Sequence, residues 1–176
     1  MLTVNLIEAK NYNGDRKELL MQSLRLMEVI LNSEEFKTRV LNFKTNGKNT
    51  FYYRKTFLGK WIDKPYTNEQ VYNMIMTAKE ERGDGTDGVI DLYLELVNGS
   101  DGDVVGFGRP SSPHIYTYSI MFDDMSLPEL ARHYTHEWCH KLGFEHDHRR
   151  SRNRNNSVPY GIGNIVERLG HQFSEK

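Results

Sequence analysis

The sequence has one cysteine, no apolar run near membrane-spanning length, no excess of charge of either sign and no internal repeat. Each absence excludes something. A single thiol at Cys139 forbids an intramolecular disulfide and any metal cluster built from cysteine alone. No stretch approaches the ~18 consecutive apolar residues of a transmembrane helix. With 23 basic and 24 acidic residues the formal net charge is -1. That balance argues against a nucleic-acid binder, which carries a basic excess, and no nucleic-acid or membrane partner is expected. The opening Met1–Ile7 has neither a basic patch nor a long apolar core and reads as a strand, not a leader. The default expectation is a soluble, cytoplasmic chain, with a trimmed secreted form as the alternative.

What is present fits one domain of ordinary size. The 176 residues are 38% hydrophobic and 11% aromatic, enough for a core without covalent staples. A helix is expected over 15–31, where Leu19, Leu20, Leu24, Met27 and Ile30 repeat at helical spacing. Ser33 caps a second, short helix. Asn46-Gly47 marks a turn, and 50–58 reads as a strand. Pro65 is read as a chain break. Thr67 and Gln70 form a capping box for a helix to about Glu80. Residues 89–97 alternate as a strand, 103–109 reads as a glycine-rich edge, and 115–122 as a further strand. Ser126 and Glu129 open another capped helix, expected to stop at Gly143. A last helix is placed from about Asn164. The order of elements predicts an α+β domain with one twisted, mixed sheet, spanning 1–176.

The seven histidines are unevenly distributed, five of them lying between 133 and 148. The helix opened by Ser126 carries His136-Glu137-Trp138-Cys139-His140. Positions i and i+4 stand one turn apart on the same face, so both imidazoles can reach one ion. Zinc accepts imidazole nitrogen, and a catalytic site keeps three protein ligands and one open position. Glu137, next to the first ligand, is placed to act as general base on a metal-activated water. Gly143 can take a positive φ and turn the chain so that His146 arrives as third ligand.

The full string H-E-x-x-H-x-x-G-x-x-H resembles the signature of the metzincin zinc peptidases, with His136, His140 and His146 as ligands, Glu137 as base and Gly143 as the turn glycine. The resemblance implies one catalytic zinc ion and a zincin-like fold. In that fold a twisted sheet packs on an early helix and on the active-site helix, with a C-terminal helix following, and substrate lies along an edge strand. Metzincins also place a methionine in a turn below the metal. Here all seven methionines lie at or before Met125. Ser157–Gly161 stands in the corresponding place, with Pro159 where the methionine would be. Tyr160 is then expected to turn toward the metal and help stabilise the oxyanion, as a tyrosine does in some metzincins.

The leading expectation is a monomeric zinc metalloendopeptidase acting on a peptide or protein substrate. The alternatives are a zinc-binding pseudoenzyme or binding module on the same fold, and a metal-dependent hydrolase of non-peptide amides. Other residues receive plainer readings. His133 is a half-exposed surface histidine. Asp147 is a candidate to orient a ligand by hydrogen bonding, and His148 stands beside it as a possible substitute ligand. Cys139 and Trp138 are packing residues. The arginines between Arg149 and Arg154 form a solvated loop or a cationic rim for acidic substrates. The Asp/Gly loops at 84–88 and 98–103 lack calcium-loop spacing and read as turns.

Overall fold

The computed structural model describes residues 1–57, 60–80, 88–99, 102, 104–108, 112–147 and 152–174. The chain begins with β1 (Thr3–Lys10), α1 (Asp15–Leu31) and α2 (Glu34–Leu41). A hairpin of β2 (Thr50–Phe57) and β3 (Lys60–Thr67) leads into α3 (Asn68–Thr77). Then come β4 (Val89–Val97), β5 (Gly106–Gly108), β6 (His114–Tyr118), α4 (Ser119–Asp124) and α5 (Leu127–Lys141). The chain closes with α6 (Arg152–Asn155) and α7 (Val158–Ser174). This is a mixed, α+β arrangement.

The main sheet has the order β1-β4-β6-β5. β1, β4 and β6 run parallel, and the short β5 is antiparallel at the edge. In β4 the pattern read from sequence holds residue by residue. Ile90, Leu92, Leu94 and Leu96 are buried, while Asp91, Tyr93 and Glu95 between them are half-buried. A strand with one wet face reads as this alternation. α1 and α5 lie against the sheet and each other, and α7 packs on both. The buried face of α1, carrying Leu20, Leu24, Met27 and Ile30, joins the inward sheet residues and Trp138, Tyr134 and Leu130 of α5 in one core. Among the described residues no helix is long and apolar enough to cross a membrane.

Five expectations are corrected. The strands do not form one sheet: β2 and β3 make a two-stranded sheet of their own. Pro65 does not break the chain: it sits inside β3 opposite Tyr52. The Tyr52 N–H points away from β3 to the Asn156 carbonyl at 3.0 Å, so this is a non-hydrogen-bonded pair and the missing proline donor is not needed. The helix after Thr67 stops at Thr77, because Ala78 takes a left-handed φ of 48°. The strand expected over 115–122 ends at Tyr118, and Ser119–Asp124 is helical. The last helix begins at Val158 rather than near Asn164, so the Pro159-Tyr160-Gly161 segment is its first turn. Proline is tolerated there because the first-turn N–H groups have no intrahelical partner. The Asp/Gly segment at 84–87 and residues 100, 101 and 103 lie outside the described residues.

α7 contains Gly161, Gly163 and Gly170, an expensive choice in a helix, where each costs about 1 kcal/mol against alanine. Close packing explains two of them. A Cβ on Gly161 would stand 2.8 Å from the Phe51 ring, and one on Gly170 2.9 Å from Cβ of Pro128, at the start of α5. Gly170→Ala is therefore expected to destabilise the protein by about 1–2 kcal/mol despite its better helix propensity. Urea unfolding checks this, and a raised midpoint would contradict the close approach of α7 to α5.

Candidate metal centre

α5 starts on a reciprocal cap: Glu129 Oε2 accepts from the Ser126 N–H at 2.8 Å, and Pro128 occupies the first turn. From there the helix runs with one side in the core. Trp138 and Cys139 are fully buried, as the packing reading required. Burial pushes the Cys139 thiol far up, so it stays protonated, and it lies wholly inside the core. His136 and His140 face the other way, half-buried, on one stripe of the helix.

The helix ends on a specific backbone motif. Gly143 has φ 85°; its N–H donates to the His140 carbonyl at 3.1 Å, and the Phe144 N–H donates to the Cys139 carbonyl at 3.2 Å. These two bonds form a Schellman turn. Phe144 is buried beneath it, 1% exposed. The reversed chain then carries His146 back to the helix face.

The three imidazoles converge. One nitrogen from each of His136, His140 and His146 lies within 4.8 Å of the others. His136 Nε2 and His146 Nε2 are 3.2 Å apart. Two nitrogens bound tetrahedrally to zinc at ~2.1 Å stand about 3.4 Å apart, so the spacing fits. The outer nitrogens are already committed. His140 Nδ1 lies 2.7 Å from the Phe144 carbonyl, and His146 Nδ1 lies 3.0 Å from the Asp147 carbonyl. A carbonyl only accepts, so in both rings Nδ1 carries the proton and Nε2 presents its lone pair. Burial, reinforced by the neighbouring imidazoles, holds His136 well below the usual histidine range. Neutral imidazoles with inward lone pairs are what a divalent cation requires.

Glu137 is 8% exposed. Burial raises its carboxyl to about 7, with Lys141 pulling down and Glu145 pushing up. The edge strand passes beside it: a Cβ on Gly108 would stand 3.8 Å from Glu137 Oε2. Tyr160, on the first turn of α7, sets its ring edge-on to His136 and His146, with centroids 4.6 and 4.8 Å away. Arg154 donates to the Tyr160 hydroxyl and stacks over the same ring at 4.6 Å. Pro159, beside it, is buried in α7 and makes no methionine-like turn.

One flanking residue departs from its sequence reading. His133 is not a surface histidine: it is 5% exposed, and its Nε2 meets Thr117 Oγ1 at 3.0 Å. Gly106 of β5 rests directly on its ring. Asp147 does stand beside the third histidine, and its carboxylate pairs with Arg54 at 2.9 Å. Arg54 and Asp63 had no signal in the sequence, because they come from the distant β2–β3 hairpin. Arg154 is drawn out of the arginine-rich segment onto Tyr160, while His148, Arg149, Arg150 and Ser151 lie outside the described residues.

No protein-family model, curated protein or solved structure matches the chain.

The buried His133 gives a measurable pH signature. Burial, with the Arg132 charge nearby, pushes its imidazole down to about 3, whereas an unfolded histidine titrates near 6.5. Between those values the unfolded chain binds a proton that the folded chain refuses, so acid favours unfolding. In metal-free protein the stability of wild type relative to His133→Gln is expected to be flat above pH 7. Below pH 6.5 it should fall by up to about 1.4 kcal/mol per pH unit. Parallel urea titrations measure this, and a pH-independent difference would refute the buried, neutral assignment.

Proposed function

We propose that the chain is a zinc-dependent metallopeptidase on a zincin-like fold, resembling the metzincins in its ligand string. The observation that supports this most is the convergence of His136, His140 and His146, with the Nε2 lone pairs of His140 and His146 free of their backbone partners and Glu137 following the first histidine. A purely structural metal site has no use for a buried carboxylate at that place. In this reading His136, His140 and His146 hold one zinc ion. When bound, zinc supplies Lewis acidity: it polarises a carbonyl oxygen and brings the pKa of water to ~7.

The chain's own residues do the rest. Glu137 accepts the proton of the attacking water and passes it to the leaving amine, a general acid–base role suited to a group poised near neutral pH. Tyr160, held by Arg154 against two of the imidazoles, supplies a hydroxyl to the developing oxyanion. The short antiparallel β5 lies at one end of the sheet, with β1 at the other, and runs beside Glu137. A peptide adding to that edge as a further strand would bring its carbonyls past the carboxylate. The glycines at 106 and 108 keep the edge low.

Two measurements test the reading. Purified wild type should bind one zinc per chain, and His146→Ala should lose it. Glu137→Gln should keep the metal and lose peptide hydrolysis by about 10²–10⁴-fold, while Tyr160→Phe should keep the metal and lose about 10²-fold in kcat. A Glu137→Gln variant as active as wild type would eliminate the mechanism.

A further inference from the structure

We propose that Arg54, on the β2 strand of the hairpin, is the positioning residue for the third metal ligand. Two different parts of Arg54 grip the chain on the two sides of His146. Its backbone N–H donates to the carbonyl of Glu145, the residue before, at 2.6 Å. Its guanidinium Nη2 meets the carboxylate of Asp147, the residue after, at 2.9 Å. The carbonyl of that same Asp147 receives the His146 Nδ1 proton. A continuous chain of bonds therefore runs from the guanidinium through Asp147 to the ring that must present Nε2 to the metal.

The guanidinium is itself held. Its Nε donates to Asp63 Oδ1 at 3.1 Å across the hairpin, and Asp63 Oδ2 accepts from Asn153 of α6 at 3.1 Å. Arg54, Asp63 and Asp147 are each about one-fifth exposed. At that burial charge-assisted bonds are short and directional rather than dispersed in solvent. Only a planar fork can serve two carboxylates at once from Nε and Nη2; a lysine ammonium is a single point on a flexible stem. Two residues along, β2 also accepts a bridge from the other wall of the site. Tyr52 pairs with Ser157, at the start of α7 and three residues before Tyr160. His146 has no helix of its own, unlike His136 and His140, so its position must be imposed from outside. β2 is the element that imposes it.

This inference rests on the reading of His146 as a ligand, and the test separates the two. Zinc affinity is measured by competition with a chromophoric chelator on full-length wild type, Arg54→Lys, Asp147→Asn and His146→Ala. The visible absorption of each cobalt(II)-loaded protein and the urea midpoint of each metal-free protein are recorded alongside. Arg54→Lys and Asp147→Asn should each bind zinc 10–100-fold more weakly than wild type and show a changed cobalt spectrum. Asp147→Asn is nearly isosteric and leaves the Arg54–Asp63 pair in place, so it decides the matter if the lysine variant does not fold. If both variants lose only stability and keep wild-type affinity and spectrum, Arg54 is a hairpin staple and the inference is overturned. His146→Ala losing zinc beside them would leave the site itself intact. A wild type that binds no zinc overturns both readings.

Discussion

The meeting of three histidines depends on how α5 stops. A helix can supply two imidazoles from one face without help, because the i, i+4 spacing does the work. It cannot supply a third at the same point, since i+7 and i+8 climb past it. The chain must reverse within three residues, and it does so through the positive φ of Gly143 and two backbone bonds back into the last turn. Phe144 sinks into the core beneath the turn and anchors it. The same reversal aims the Phe144 carbonyl at His140 Nδ1. One turn thus ends the helix, fixes the tautomer of the second histidine and delivers the third. A side chain at 143 would strain that φ, and the consequences would fall on the histidines rather than on the helix.

Burial has opposite effects on the groups it surrounds. It disfavours charge on every one of them. For His136 that keeps the imidazole neutral and available to a cation. For Glu137 it brings a carboxyl to about 7, where it can take and release a proton near neutral pH. For Cys139, two residues on from Glu137 in the same helix, it suppresses the thiolate and leaves an inert packing residue. His133 is neutral for the same reason, and supports the edge strand through Gly106 instead of facing solvent. A single environment, set by α5 lying between the sheet and α7, gives four titratable side chains four states: a neutral imidazole at His136, a carboxyl poised near neutral pH at Glu137, a protonated thiol at Cys139 and a neutral, packed imidazole at His133.

The local parts of this arrangement were legible in the sequence, and the distant parts were not. Capping boxes at Thr67 and Ser126, the alternation of β4 and the stop at Gly143 all depend on residues within a few positions of one another. Each was found where its pattern placed it. The histidine string is local too, and the structure brings its three imidazoles together. The failures have a common cause. Pro65 was read as a break because nothing in its neighbourhood reveals that its outward side needs no donor. The stretch 119–122 looked like continuing strand because Ile120 and Phe122 have strand character, while tertiary packing turns it into helix. His133 reads as exposed because Gly106, which covers it, lies 27 residues upstream.

The hairpin shows the same limit from the functional side. His136 and His140 inherit their geometry from hydrogen bonds inside α5, so a motif in the sequence is also a motif in space. His146 sits on a segment with no regular structure of its own. Such a segment holds a ring to within tenths of an ångström only if other elements over-determine it. Arg54 grips this segment from 92 residues away in the chain, through one backbone bond to Glu145 and one charge-assisted bond to Asp147, on either side of His146. A ligand string read from sequence therefore specifies which atoms can meet. The segment that carries the third of them is tied down by a hairpin that the string does not mention.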